Sequence, residues 1–477
     1  ATMMKFSALL LVTLCFASEA LAKKGFGPGE QEWGYVKVRP TSHMFWWLYY
    51  TTASVSSYYE KPLIIWLQGG PGASSTSYGN FEELGPLDVN LKPRNFTWVG
   101  QKVNRLLKHE LKLIDLVDLS FLFYRVLSKQ TSISVFNVTL KLEINMLYKY
   151  IYTSFINQYF RRQTIEFFIK VYRRLLLILH LVFSLRTRKV KDYNVLFIDN
   201  PVGTGFSYTT TMEGYATTNA EIAHDLLECI KGFLKQLPEF ADVPTYITTE
   251  SYGGKMAAEF ALLWYKAQQQ EKIKSSLKGV ALGDAWISPI DSVMTWAPFL
   301  LATVRQTFFN VISYIFTALR TKYAVDTKRW SEATLLWGST EGAILQATNN
   351  IDFYNILTKI EPNNNQLSLM QRLVSEPTFA QVESLLNETE LKVVVISGHM
   401  DLIVDTPGTL RWVEKMQWKN ANSWHRSDRT PLVVENIIEG YVKSYDNFSM
   451  YWVNRAGHMV PKDNPAAMAR ILKEFTK

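Results

Sequence analysis

The sequence predicts an α/β protein with a central, mostly parallel β-sheet, and two features carry this prediction. Short, nearly continuous apolar segments end in turns rich in Gly and Pro, as in PLIIWLQ (62–68) and NVLFIDN (194–200). A further short segment, TYITT (245–249), is followed by a long helical pattern, GGKMAAEFALLWYKAQQQ (253–270). Strands that are apolar throughout are buried on both faces, which is typical of parallel sheets covered by helices.

The first segment of the chain is typical of a secretory signal peptide. MMKFSALLLVTLCFASEALA places a lysine before an apolar stretch and ends in small residues. Such a peptide is cleaved after Ala22, and the apolar stretch is too short for a membrane-spanning helix. We therefore expect residues 1–22 to be removed, and the mature chain to follow the secretory pathway without a stable membrane anchor.

The cysteines and the N-glycosylation sequons also concern the secretory pathway. Cys15 leaves with the signal peptide, so Cys229 stands alone and the mature chain forms no intramolecular disulfide. This is unusual for a secreted protein, although a large core can be stable without disulfides. N-glycosylation sequons occur at Asn95, Asn137, Asn387 and Asn447. We predict glycans at Asn95, Asn387 and Asn447.

The positive charge of the chain belongs to one segment. The formal net charge is +8, which by itself would favour anionic partners. Residues 101–192 hold 17 Lys and Arg against 6 Asp and Glu, a net of +11, so the rest of the chain carries −3. We therefore predict no nucleic-acid partner.

The composition of residues 101–192 is unusual in a second way. The segment contains no Gly, Pro, Ala or Trp, although turns in a folded insertion normally need Gly or Pro. Gly, Pro and Ala have GC-rich codons, and the segment is rich in Lys, Ile, Leu, Phe, Tyr and Asn. We interpret it as translated AT-rich non-coding DNA. The alternative is a genuine basic helical insertion, with an apolar run in RRLLLILHLVFSLRTRK that is too short to span a bilayer.

Three further segments are predicted strands because they are rich in β-branched or aromatic residues. They are TYITT (245–249), KVVVIS (392–397) and SMYWVN (449–454). In parallel α/β sheets, active sites lie in loops at the carboxyl ends of strands. Catalytic residues are therefore expected directly after these strands.

Ser251 lies between the strand at 245–249 and the helix at 253–270. Its surroundings, T-E-S-Y-G, are close to the G-x-S-x-G nucleophile elbow, a strained turn that needs small neighbours. Gly253 fills the second small position and Thr249 replaces the first glycine. The alternative is that Ser251 caps the helix, which is common for a serine at this position.

A nucleophilic serine needs a base and an acid that orients the base. Asp401 follows KVVVIS, and His458 follows SMYWVN in the loop RAGHMVP. The chain order Ser, Asp, His is that of hydrolases with a nucleophile elbow. His399 and Asp405 are the competing candidates nearby. A structural loop carboxylate and a surface histidine are the other interpretations.

The segment WLQGGPGASS offers an oxyanion hole, which requires two N–H donors directed at the developing charge. Glycine lets the backbone approach a substrate closely, so the Gly70 and Tyr252 N–H groups are our candidate donors. The seven histidines show no metal-ligand spacing and no nucleotide-binding loop is present, so we expect no metal and no cofactor.

Together, these and other segments resemble the serine carboxypeptidase family. The similarity covers roughly residues 30–100, 193–300 and 390–477, and it rests on seven motifs: WLQGGPGASS, FEELGPLD, DNPVGTGFSY, ESYGGKMA, GDAWISP, DLIVDTPG and AGHMVP. The resemblance implies an α/β-hydrolase fold with a helical cap inserted before the strand of the catalytic Asp. It also implies removal of C-terminal residues from peptides through an acyl-enzyme, with Ser251 as nucleophile, His458 as base and Asp401 as its orienting acid.

The resemblance further implies how a substrate would be held. Gln68 and Glu250 match positions that bind the terminal carboxylate of the substrate, and Glu83 matches the carboxyl partner of Glu250. Two adjacent carboxyls resist ionising together, so one keeps its proton to higher pH and can donate a hydrogen bond. This predicts exopeptidase activity at acidic pH, and a lysosomal or acidic extracellular location.

The motifs also predict how the chain is divided. After the signal peptide, we expect hydrolase core in 23–100, 193–300 and 390–477, the basic insert in 101–192, and a shortened cap in 301–389. Two alternatives stay open. One is a catalytically impaired secreted protein, which the insert and the shortened cap favour because they depart from the family pattern. The other is an acyltransferase or esterase on the same scaffold, which would keep the same three catalytic residues.

Overall fold

The computed structural model of the chain describes residues 25–94, 96–98, 192–303, 308–360 and 376–477, with the side chains of 308–313 excepted. The chain separates into two units, residues 1–101 with 190–477, and residues 102–189. The fold described below is that of the first unit. The signal peptide, Asn95, Asn137 and almost all of the predicted insert lie outside the described residues.

The described residues form one sheet of eleven strands. The strands are β1 (Gln31–Arg39), β2 (Ser42–Tyr49), β3 (Leu63–Leu67), β4 (Asn194–Ile198), β5 (Tyr208–Thr209), β6 (Thr245–Glu250), β7 (Leu277–Gly283), β8 (Lys392–Gly398), β9 (Arg429–Val434), β10 (Ile437–Tyr445) and β11 (Phe448–Val453). Their spatial order is β1-β2-β4-β3-β6-β7-β8-β11-β10-β9, and β5 pairs with β2.

The six central strands, from β4 to β11, are parallel to one another, and the strands at both edges pair antiparallel. Five of the six coincide with segments predicted from the sequence, so the predicted mostly parallel α/β sheet is confirmed. β7 was not predicted, because its sequence LKGVALG contains two glycines and few β-branched residues. β4, which follows the predicted insert, occupies its place between β2 and β3.

The central strands are buried on both faces, which explains their apolar sequences. Every residue of β3 is buried, and alternate side chains enter the two cores. Ile64 and Trp66 belong to one apolar cluster, and Ile65 and Leu67 belong to the other. The sheet therefore lies between two layers of helices and loops, and its strand ends are the accessible places for chemistry.

Ten α-helices surround the sheet in the described residues. They are α1 (Asn219–Gln236), α2 (Gly253–Gln269), α3 (Pro289–Thr303), α4 (Phe308–Asp326), α5 (Trp330–Thr348), α6 (Phe379–Glu388), α7 (Thr406–Lys415), α8 (Ala421–Arg426), α9 (Val460–Asp463) and α10 (Pro465–Phe475). A π-helical segment covers Ser75–Leu84, and 3₁₀ turns cover Tyr58–Glu60, Met212–Gly214 and Pro238–Asp242. Within the described part of the chain, none of the helices has the length and apolar character of a membrane span.

Four helices, α3 to α6, separate β7 from β8. α4 packs along both α3 and α5, and Tyr314 and Ala318 of α4 join the larger apolar core. A helical segment therefore lies between β7 and β8, after the Ser251 turn and before the strand that leads to Asp401. Residues 361–375, which belong to the cap predicted to be shortened, lie outside the described residues.

Candidate active site

The three predicted catalytic residues, and one acid that was not predicted, follow four neighbouring strands. Ser251 comes directly after β6, Asp284 directly after β7, Asp401 three residues after β8, and His458 five residues after β11. These strands are adjacent and parallel in the order β6-β7-β8-β11, so their carboxyl ends meet at one edge of the sheet.

Ser251 sits in a strained turn. Its φ of 59° lies in the left-handed region, which costs about 1–3 kcal/mol for a residue other than glycine. The Ser251 N–H donates to the Gly283 carbonyl over 3.0 Å. A Cβ at Gly253 would come within 2.0 Å of Thr249 Oγ1, so the turn requires glycine there. Tyr252, and not Ser251, is the N-cap of α2, so the helix-cap interpretation of Ser251 does not hold.

The structure brings Asp401 and His458 together. His458 Nδ1 lies 2.7 Å from Asp401 Oδ2, and both side chains are almost completely buried. The other carboxylate oxygen of Asp401 accepts the Val404 N–H over 3.1 Å. His458 Nε2 has no hydrogen-bond partner among the described residues, so this nitrogen is available to exchange a proton with a nucleophile.

Backbone contacts hold the loops of Asp401 and His458. The His458 N–H donates to the Tyr354 carbonyl over 2.7 Å, and the Tyr354 ring packs edge-on against the imidazole with centroids 4.9 Å apart. A Cβ at Gly398 would lie 2.1 Å from the Gly457 carbonyl oxygen. Two glycines therefore let the loops touch. Tyr354 was missed from the sequence because it lies in the cap segment, about a hundred residues before His458.

The competing candidates make other contacts. His399 Nδ1 lies 2.9 Å from Asn454 Oδ1, and burial lowers the pKa of this histidine. Asp405 Oδ1 accepts the Thr295 hydroxyl over 2.9 Å, and burial raises the pKa of Asp405 well above its ordinary value. Of the four candidates, only Asp401 and His458 form an acid–histidine pair in the described structure.

Glu83, Glu250 and Gln68 form a buried cluster next to Ser251. Gln68 Nε2 donates to Glu83 Oε1 over 3.0 Å and to Glu250 Oε1 over 2.9 Å. Trp66 Nε1 donates to Gln68 Oε1 over 2.7 Å, which sets the orientation of the amide. Each of the three side chains has only 3% of its surface exposed, so the cluster is shielded from bulk water.

The two carboxyls of this cluster both have raised pKa values. Burial raises the pKa of Glu250 well above its ordinary value, and the charge of Glu83 raises it further. Burial likewise raises the pKa of Glu83. The carboxyls are hydrogen bonded to each other, and Glu83 Oε2 and Glu250 Oε2 accept no N–H or hydroxyl of the described chain. Adjacent buried carboxyls resist ionising together, so a pair that retains one proton is favoured over two negative charges.

The glycine loop after β3 lies against the Ser251 turn. A Cβ at Gly69 would come within 2.7 Å of Ser251 Cβ and 2.8 Å of the Tyr252 nitrogen. Gly70 has a φ of 111°, a conformation that glycine adopts without strain. The two candidate oxyanion donors, the N–H groups of Gly70 and Tyr252, thus lie on adjoining segments.

The remaining predicted residues lie away from this edge of the sheet. Asn387 is exposed, and Asn447 is half-buried with its Nδ2 donating to the Leu391 carbonyl over 3.0 Å. Glycosylation at both stays a prediction. Cys229 is a buried free thiol whose pKa burial raises to about 12. Among the described residues, no three His, Cys, Asp or Glu side chains group in a way that could hold a metal ion.

A strained serine turn, with an acid and a histidine on neighbouring strand ends of a mostly parallel sheet, defines an α/β-hydrolase. A family model described as serine carboxypeptidase matches residues 23–104, 188–382 and 362–477. The chain therefore belongs to the serine carboxypeptidase family, as its motifs predicted. Residues 105–187, inside the predicted insert, fall outside this match.

Individual relatives agree with this assignment. The chain is 32% identical to the retinoid-inducible serine carboxypeptidase of Mus musculus, over 94% of this chain and 92% of the relative. It is 28% identical to serine carboxypeptidase-like 51 of Arabidopsis thaliana, over 99% of both chains. Among solved structures, the prohormone-processing carboxypeptidase Kex1(Δ)p of Saccharomyces cerevisiae is similar in fold, with a TM-score of 0.65, 17% identity, and coverage of 94% of this chain and 91% of that chain.

Proposed function

We propose that the protein is a serine carboxypeptidase that releases C-terminal residues from peptides at acidic pH. Ser251 Oγ attacks the carbonyl carbon of the last peptide bond while His458 Nε2 takes its proton. Asp401 holds the imidazole through the 2.7 Å contact at Nδ1. The leaving amine takes the proton from His458, and water then cleaves the acyl-enzyme by the same route in reverse order.

The N–H groups of Gly70 and Tyr252 are the proposed donors to the tetrahedral intermediate. They belong to the two segments that meet at Gly69, beside Ser251. The Tyr252 N–H is also at the N-terminus of α2, where the helix dipole favours negative charge.

The observation that carries this proposal is the buried Glu83–Glu250–Gln68 cluster beside the nucleophile. A proton retained by the carboxyl pair can be donated to the terminal carboxylate of a peptide, whereas a doubly ionised pair would repel it. Because burial raises both pKa values, the pair holds its proton through the acidic range and loses it as the pH rises. Exopeptidase activity should therefore be highest in acid and fall toward neutrality.

This pH range suits acidic spaces on the secretory route, either a lysosome-like compartment or an acidic extracellular medium. The predicted signal peptide and the predicted glycans at Asn95, Asn387 and Asn447 support the same route. We further propose that residues 101–192 are not needed for the site, because every residue of the proposed site lies in the other unit.

An esterase or acyltransferase on this scaffold would keep Ser251, Asp401 and His458. Neutral substrates would gain nothing from a carboxyl pair buried beside the nucleophile, so the Glu83–Glu250 contact favours the peptidase.

The test is an assay of blocked dipeptides with either a free or an amidated C-terminus, at about pH 4.5 and about pH 7. The full chain and the chain lacking residues 102–189 are assayed side by side, with Ser251→Ala as the control for contaminating peptidases. We expect cleavage of the free-carboxylate substrate, at least about tenfold faster at the lower pH, in both chains. Equal cleavage of both substrates, or activity that survives Ser251→Ala, would contradict the proposal.

A further inference from the structure

Asp284 is a buried acid at the same edge of the sheet, and the mechanism above does not use it. It follows β7 with a φ of 37°, and its side chain has no exposed surface. Its N–H donates to the Ile396 carbonyl over 2.8 Å, and its Oδ1 accepts the Gly398 N–H over 2.8 Å. Asp284 is therefore hydrogen bonded to the end of β8, where the Asp401 loop begins.

The second oxygen of Asp284 is buried and lies within a site that also contains the Asp401 carboxyl. Asp284 Oδ2 is buried and accepts no N–H or hydroxyl of the described residues, yet the Asp284 and Asp401 carboxyls are in hydrogen-bonding contact. Both oxygens of Asp401 already accept hydrogen bonds, from the Val404 N–H and from His458 Nδ1. A contact between two carboxyl oxygens is favourable only if one of them carries a proton.

The neighbours decide which carboxyl holds that proton. The ionisable groups around Asp284 are Asp401 in contact, Glu250 and Asp463 at longer range, and His458, which lines the same small cavity. His458 Nδ1 lies 2.7 Å from Asp401 Oδ2, and an imidazole N–H at this distance is best matched by a carboxylate acceptor. Burial, followed by the charge of Asp401, raises the pKa of Asp284 well above its ordinary value.

We propose that Asp284 is a positioning residue: as a neutral carboxylic acid it donates a hydrogen bond to the Asp401 carboxylate and fixes that carboxylate against His458. The inference rests on the proposed Ser251–Asp401–His458 triad. The segment around Asp284 also contacts the Ser251 turn. The Ser251 N–H donates to the Gly283 carbonyl, and the Trp286 N–H donates to the Ser251 carbonyl over 2.9 Å. This segment therefore joins the ends of β6, β7 and β8.

The donated hydrogen bond has a consequence for proton transfer. It stabilises negative charge on Asp401 and so weakens the pull of Asp401 on the imidazolium form of His458. Loss of this hydrogen bond would therefore change how His458 exchanges a proton with Ser251.

The experiment compares Asp284→Asn with Asp284→Ala in the full chain. Asparagine can still accept the Gly398 N–H through its oxygen and donate to Asp401 through its amide, whereas alanine can do neither. The His458 ring is titrated by NMR, and the labelling rate of Ser251 by a fluorophosphonate is measured against pH. Both readouts are independent of peptide hydrolysis. Asp405→Asn is the matched control, since Asp405 is an equally buried acid near Asp401 that bonds instead to Thr295.

With Asp284→Ala, we expect the His458 titration and the acid limb of Ser251 labelling to move to higher pH by about one unit, and labelling to slow about tenfold or more. Asp284→Asn should leave both within about 0.3 of a pH unit of the wild type. A downward shift in Asp284→Asn would mean that Asp284 is ionised and would overturn the proposal, even if the alanine variant does not fold. Equal shifts in the two variants would also overturn it. Failure of wild-type Ser251 to label would count against the proposed function, while the His458 titration would still test Asp284.

Discussion

Two buried carboxyl pairs lie near the carboxyl ends of the central strands, and they consist of the same chemical group with different neighbours. Glu83 and Glu250 share the amide of Gln68 and are hydrogen bonded to each other. Asp284 and Asp401 are also in contact, but Asp401 lies 2.7 Å from an imidazole nitrogen.

The difference teaches how one physical effect can serve two purposes. Burial raises the pKa values of Glu83, Glu250 and Asp284, and a neighbouring carboxylate raises those of Glu250 and Asp284 further. In the first pair, Gln68 donates equally to both carboxyls, so neither is fixed as the charged partner and the proton can be offered to a substrate. In the second pair, His458 fixes the charge on Asp401, which leaves the proton on Asp284.

The largest effect that tests this comparison is expected for Asp401→Asn. The amide cannot hold the His458 tautomer that leaves Nε2 free to accept a proton, so kcat should fall by about 10⁴-fold. The fall is measured on a blocked dipeptide at the pH optimum, with circular dichroism to show that the variant is folded. A loss below about tenfold would show that the Asp401–His458 contact does not support catalysis.

Glu250→Gln makes the same carboxyl-to-amide change in the other pair. Glutamine donates a hydrogen bond at every pH, and a hydrogen bond to a charged group is worth about 1.5–3 kcal/mol. We therefore expect kcat/KM at about pH 7 to rise at least about tenfold above the wild type, with little change in acid. Glu82→Gln is the control, since Glu82 is a neighbouring acid that pairs with Lys462 near the surface. An unchanged pH profile in Glu250→Gln would argue against the shared proton.

A smaller effect is expected in the free energy of unfolding. A carboxyl with a raised pKa keeps its proton in the folded chain at pH values where the unfolded chain has already released it. The stabilisation from this proton is therefore complete below the ordinary carboxyl pKa of about 4.3. It is lost as the pH rises through the folded-state pKa of the carboxyl. Urea unfolding at about pH 4.5 and about pH 7 measures this loss. Glu250→Gln should reduce it by about 1.4 kcal/mol for each pKa unit by which Glu250 is raised. Equal losses in the variant and the wild type would show that this pair does not bind the proton.

The sequence determined the features that depend on local pattern. Apolar segments, together with segments rich in β-branched or aromatic residues, identified five of the six parallel strands. The order Ser251, Asp401, His458 at strand ends identified residues that the structure places at one edge of the sheet. The sequence also placed Gln68, Glu83 and Glu250 in one group, but through resemblance to a family, since no spacing rule joins residues so far apart.

Only the tertiary structure decided the contacts between strand ends. β7 escaped prediction because its glycines weaken a strand pattern, and Asp284 was therefore not among the candidates. The order β6-β7-β8-β11 places Asp284 beside Asp401, more than a hundred residues later in the chain. The tertiary structure also distinguishes Asp401 from Asp405 as the partner of His458. The two residues are only four apart in the sequence, but Asp401 contacts His458 and Asp405 bonds to Thr295. Burial then set the pKa values, since the loss of water and the approach of like charges are properties of the folded chain alone.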